Sequence, residues 1–101
     1  MPLSRLKQLN TNDCLWIYIL RILLDHDSHA YAIRKEISSR FGFQPGIMTA
    51  YKVLYLLHRQ GMVSKSVRGR KRIYRITAQG TAELKKAEAF YRGLADTLAG
   101  S

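Results

Sequence analysis

The stretch DCLWIYILRILL, residues 13–24, limits the fold more than any other part of the chain. As a helix it is apolar almost all round, with no broad face to offer water. Such a helix sits at the centre of a fold or between subunits, and the other elements must be arranged around it. It is no membrane span: its unbroken apolar run, residues 14–20, stops at Arg21 after 7 residues, against the roughly 20 that cross a bilayer. Asn10, Thr11 and Asn12 offer cap residues before it, and Asp25, His26 and Asp27 close it as a polar turn. Upstream, Leu3, Leu6 and Leu9 mark one or two amphipathic turns.

Ser28 stands as N-cap of a second helix, HAYAIRKEISSRF, in which Ala30, Ile33, Ile37 and Phe41 form one apolar stripe. Gly42 is placed to end that helix in a left-handed cap, and Pro45 suits the first turn of the next. A third helix is expected over about residues 46–60. Ile47, Ala50, Tyr51, Leu54, Leu57 and His58 gather on one side of it, and Met48, Lys52, Tyr55, Leu56 and Arg59 project on the other. Two helices joined by a tight turn, the second with basic residues facing out, form a helix-turn-helix pattern.

After Gly61 the period changes. Residues 62–67 alternate in strand fashion and residues 72–77 are rich in strand formers. A two-residue turn at Gly69-Arg70 pairs Val63 with Ile76 and Lys65 with Tyr74, giving a hairpin whose tip is almost entirely cationic. Thr77 then caps a last helix, from residue 78 to about 98. Along it Leu84, Ala87, Tyr91, Leu94 and Leu98 follow the four-three spacing of a seam that packs on a partner helix.

Charge is segregated along the chain. The net charge is +10, yet residues 37–82 contain no acid at all. That interval holds nine of the 17 basic residues, Arg40, Lys52, Arg59, Lys65, Arg68, Arg70, Lys71, Arg72 and Arg75, leaving eight against seven acids elsewhere. Solubility would be served by mixed signs; a one-sign interval is the footprint of a polyanion-binding surface. A single cysteine, Cys14, excludes an internal disulfide framework and fits a reducing compartment. No basic-then-apolar leader opens the chain, so a cytoplasmic location without membrane partners is expected.

Helix, helix, helix, hairpin, helix is the order of a winged helix-turn-helix. The expected fold class is therefore mainly α with a small β-hairpin. A winged helix-turn-helix DNA-binding domain with its N-terminal helix takes residues 1–77, and a C-terminal dimerisation helix takes residues 78–101. HAYAIRKEI resembles the HGYEI-type start of the second helix in PadR-family transcriptional regulators. PGIMTAYKVLYLLHRQGMV is similar to that family's recognition helix, with Thr49, Tyr51, Leu54, Leu57, Gly61 and Val63 on matching positions. GRKRIYRITAQG looks like its wing, G-R-x-x-x-Y-x-[LI]-T-x-x-G, through Gly69, Arg70, Tyr74, Ile76, Thr77 and Gly80. Ala30, Ala50 and Lys52 depart from the family's glycine, leucine and proline, and the wing tip is about one residue shorter, so no operator sequence carries over. The likeness covers residues 15–98, in the manner of the family's short members with one dimerisation helix.

Basic side chains neutralise phosphates and release counterions, while a helix in the major groove reads base edges from its N-terminal residues. The candidate base readers are Gln44, Met48, Thr49 and Lys52. Tyr51 falls at the edge of the core on a helical wheel, whereas the resemblance implies a DNA-facing side chain. Arg59 and the wing residues Lys65, Arg68, Arg70, Lys71, Arg72 and Tyr74 complete the set, the wing cations straddling phosphates or entering the minor groove. The expected function is that of a homodimeric repressor acting on double-stranded DNA at a pseudo-palindromic operator. Two other readings stay open: a winged-helix RNA-binding protein, and an architectural DNA-binding protein without sequence preference. Trp16, Tyr18 and Tyr91 read as core or dimer packing; the resemblance adds the alternative of a small aromatic effector held between subunits. His26, His29, His58 and Cys14 match no zinc spacing, and no nucleophile–base pair, paired carboxylates or glycine-rich phosphate loop is present, so neither a cofactor nor an enzyme is expected.

Overall fold

The computed structural model describes residues 2–10 and 14–100. Its element order is α1 (Pro2–Leu9), α2 (Leu15–Asp25), α3 (Ala30–Phe41), α4 (Ile47–Arg59), β1 (Val63–Arg68), β2 (Lys71–Ile76) and α5 (Ala78–Leu98). The expected caps at Thr11 and Asn12 and the helix start at Asp13 lie outside the described residues. Cys14 occupies the N-cap of α2 without a side-chain cap bond.

The all-round apolar helix is the centre of the molecule. Leu15, Ile19, Leu20, Ile22 and Leu23 of α2 are buried, and they meet Ile33 and Ile37 of α3, Leu54 and Leu57 of α4, Val63 and Tyr74 of the hairpin, and Leu84 of α5. Fully burying each such side chain is worth roughly 1.5–3 kcal/mol, which is why α2 holds four neighbouring elements at once. Tyr18 packs edge-on against Phe41 and Phe43, with both ring centroids at 4.9 Å, and its hydroxyl donates to the Asn10 carbonyl.

Two local expectations are corrected. His29, not Ser28, is the N-cap of α3: its Nδ1 accepts from the Ala32 amide at 3.4 Å. Ser28 instead exchanges backbone bonds with Tyr74, donating to its carbonyl at 3.1 Å and accepting from its amide at 2.7 Å. This one-residue bridge lays a third strand-like segment along the wing. Pro45 precedes the α4 N-cap, Gly46, rather than opening the helix. Buried there, it offers its carbonyl to Arg34 Nε at 2.6 Å, which ties α3 to the turn. Gly42 closes α3 with φ 79°, as expected.

The hairpin has the expected register, Val63 opposite Ile76 through Arg68 opposite Lys71. Gly69 has φ +62° and Arg70 does not enter positive φ, the pattern of a two-residue turn with glycine first. Thr77 caps α5 by accepting from the Gly80 amide at 3.1 Å while its hydroxyl donates to the Gly61 carbonyl at 2.7 Å.

Candidate nucleic-acid interface

Gly46 is the N-cap of α4 and holds an extended conformation. Met48, Thr49, Lys52, Tyr55, His58 and Arg59 are exposed along the helix, while Ala50, Leu54 and Leu57 bury the other face against α2 and α3. The wing changes character along its length. Strand alternation puts Val63, Lys65 and Val67 on one face with their partners Ile76, Tyr74 and Arg72. On this face Val63 and Tyr74 are buried, while Lys65, opposite Tyr74, and Arg72, nearer the tip, reach solvent. Val63 and Tyr74, with half-buried Ile76 packed against the core beside them, anchor the hairpin in the body, whereas Val67 is exposed.

Between α4, the start of α3 and the wing lies a concavity of about 880 Å³. Of the residues expected at the site, it gathers Met48, Tyr51, Lys52, Lys65, Arg70, Lys71, Arg72 and Tyr74. Gln44, Thr49, Arg59 and Arg68 are exposed around it but do not line it. Tyr74 is 4% exposed: its ring belongs to the core, so it forms floor rather than contact surface. Tyr51 is 37% exposed and lines the concavity.

The sequence reading missed His29, Tyr31, Tyr55 and His58, which also line this space. Tyr55 and His58 were legible as residues of the third helix. Tyr31 had no signal: it comes from α3 and reaches the site because α3 and α4 pack together, its ring standing edge-on to Tyr51 at 6.4 Å and 90°.

Ion pairing sharpens the charge map. Arg40 bonds Asp25 and Glu36, both at 2.9 Å, and Arg75 lies 3.6 Å from Asp27. Among the described residues, the remaining seven cations of the acid-free interval, Lys52, Arg59, Lys65, Arg68, Arg70, Lys71 and Arg72, have no carboxylate partner, and all seven are exposed. Unpaired positive charge around one concavity is a ready receptor for a regularly spaced polyanion.

The remaining candidate residues are dispersed. His26 bonds the Asp27 carbonyl and Glu36, His29 caps α3, His58 lies in the concavity and Cys14 begins α2. No three His, Cys, Asp or Glu side chains among the described residues gather as metal ligands. Nor is any helix among them long and apolar enough to cross a membrane. Trp16 and Tyr18 are half-buried against the core, and the Tyr91 hydroxyl donates to Cys14 Sγ at 3.8 Å. Burial, with Cys14 next, raises the Tyr91 pKa above its ordinary value.

The fold recurs in solved structures. A PadR family transcriptional regulator from Eggerthella lenta DSM 2243 superposes with a TM-score of 0.79 at 23% identity, covering 96% of this chain and 88% of that one. A transcriptional regulator from Clostridium thermocellum, Cth-833, gives 0.78 at 22%, covering 83% and 85%. A PadR family transcription regulator from Clostridium difficile R20291 gives 0.76 at 20%, covering 83% and 93%. No curated protein sequence matches the chain. The model of the transcriptional regulator PadR-like family matches residues 19–86, which run from the centre of α2 through α3, α4 and the wing into α5. With more than half its length under that match, the chain belongs to the PadR-like family of transcriptional regulators.

Proposed function

We propose that the protein is a homodimeric repressor that binds a pseudo-palindromic operator in double-stranded DNA. One observation carries this reading: among the described residues seven exposed cations without a carboxylate partner stand on α4 and the wing, and five of them, Lys52, Lys65, Arg70, Lys71 and Arg72, line one concavity. In it α4 enters the major groove by its first turns, Gln44, Thr49 and Lys52 meet base edges, and the wing arginines engage phosphates alongside.

The dimer is supported by uncovered apolar surface. Past Leu84 the seam of α5 emerges from the body, with Tyr91 and Leu94 exposed and Leu98 77% exposed; Leu3, Leu6 and Leu9 of α1 are exposed as well. An uncovered apolar seam on α5 calls for a partner, and a second α5 supplies the matching four-three seam. Two-fold symmetry would then set two recognition helices about 34 Å apart, one per half-site.

Selection of binding sites from random duplex DNA, with light scattering on the purified protein, tests both parts. A palindromic consensus and a dimer mass at micromolar concentration are expected. Random duplex bound as tightly as any selected site would sink the operator, and a monomer would sink the symmetry.

A further inference from the structure

Met48 is the second residue of α4 and is 76% exposed, one of the two most exposed large apolar side chains in the described chain. It sits on the rim of the concavity beside Tyr51 and one turn before Lys52. An unbranched thioether there offers no donor and only a weak acceptor, so it can serve neither phosphates nor the polar base edges. The major groove of duplex DNA presents one strongly apolar group, the C5-methyl of thymine. Flexible methionine adapts to such a small apolar target.

The neighbours narrow the chemistry further. No residue of α4 is Asp, Glu or Asn, so carboxylate acceptance from cytosine N4 is absent from the helix face. Lys52 is suited to guanine acceptors, which leaves Met48 an A·T pair with its methyl turned toward the helix. We propose that Met48 is a specificity-determining residue that buries a thymine methyl in each half-site. This rests on the operator-binding reading above and deepens it, since phosphate contacts alone would leave Met48 uncovered.

Deoxyuridine isolates the group, because it differs from thymidine only by that methyl and keeps every hydrogen-bonding atom. In the selected operator each thymine is replaced in turn by deoxyuridine, symmetrically in both half-sites, and binding is measured for the wild type, Met48→Ala and Met48→Leu. One position per half-site is expected to weaken wild-type binding by about fourfold per methyl, from roughly 0.8 kcal/mol per buried carbon and 1.4 kcal/mol per factor of ten. Met48→Leu should keep that sensitivity and Met48→Ala should lose it, with unchanged thermal unfolding because the side chain is exposed. Indifference of the wild type to every replacement would overturn the proposal, as would a uracil effect that Met48→Ala leaves intact. In both cases the tight, selected binding itself would leave the operator reading standing. Failure to select any duplex over random DNA would bring down that reading and this one together.

Discussion

Gly80, the third residue of α5, is where the last helix crosses the foot of the wing, and replacing it by alanine gives the sharpest test of how the two are joined. A Cβ there would lie 2.9 Å from Ile76 Cγ1, 3.1 Å from the Met62 carbonyl carbon, and far inside contact with that carbonyl's oxygen. Carbon–carbon contacts are ordinarily about 3.5–4.0 Å, so relief needs a shift of at least about half an ångström. The obstructing oxygen cannot swing away, since it accepts from the Thr77 amide at 3.0 Å and the Thr77 hydroxyl already holds Gly61. Overpacking typically costs about 1–3 kcal/mol, and a backbone obstacle puts this site at or above the top of that range. Against it stands a helix-propensity gain of about 1 kcal/mol for Gly→Ala. The net is a loss of about 2 kcal/mol, or roughly 8–16 °C in Tm for a domain this size. Gly93→Ala is the internal control: it lies on the same helix with nothing within 4 Å of its built Cβ, and should gain about 0.5–1 kcal/mol. Thermal unfolding followed by far-ultraviolet circular dichroism, at one fixed protein concentration, reads both. A Gly80→Ala protein as stable as the wild type, beside the usual gain at Gly93, would refute the close approach of α5 to the Met62 carbonyl.

Replacing Arg70 and Arg72 together by alanine should weaken DNA binding and lower the salt slope by about 2, one per lost phosphate contact, without loss of folding; an unchanged slope would remove the wing from the contact surface. Leu94→Lys, on the exposed part of the α5 seam, should yield a monomer by light scattering at micromolar concentration, and retention of the dimer mass would count against that seam. His26 predicts a small pH dependence. Its ring nitrogens meet the Asp27 carbonyl at 3.1 Å and the Glu36 carboxylate at 2.8 Å, and these two acceptors raise its pKa above 6.5. Protonation therefore stabilises the fold fully below about pH 6.5 and the effect is lost as pH rises through the raised value. Tm should fall slightly between about pH 6 and 8, by little because the pair is solvent-exposed, and His26→Ala should flatten that fall. An identical slope in the variant would dismiss the His26 contacts as its source.

Features governed by neighbours along the chain were legible in the sequence. The end of α3 follows from Gly42 and the start of α5 from Thr77, and the hairpin register from Gly69 at the turn with alternation on both sides, because caps and turns act over three or four residues. That α2 is buried was equally legible, since a helix apolar almost all round must be covered, but its place at the centre of the fold rather than between subunits was settled by packing. Tertiary structure decided what depends on residues far apart. Ser28 looked like a cap but is drawn into a bridge with Tyr74, so His29 caps instead. Tyr31 joins Tyr51 only because α3 packs on α4, and Tyr74 left the list of accessible side chains only when the wing folded onto the core. The acid-free interval was visible as a count of nine cations, but which seven stay unpaired was set by Asp25, Asp27 and Glu36, folded back from outside it. Charge along a chain is additive, whereas its neutralisation is a matter of distance, and distance belongs to the fold.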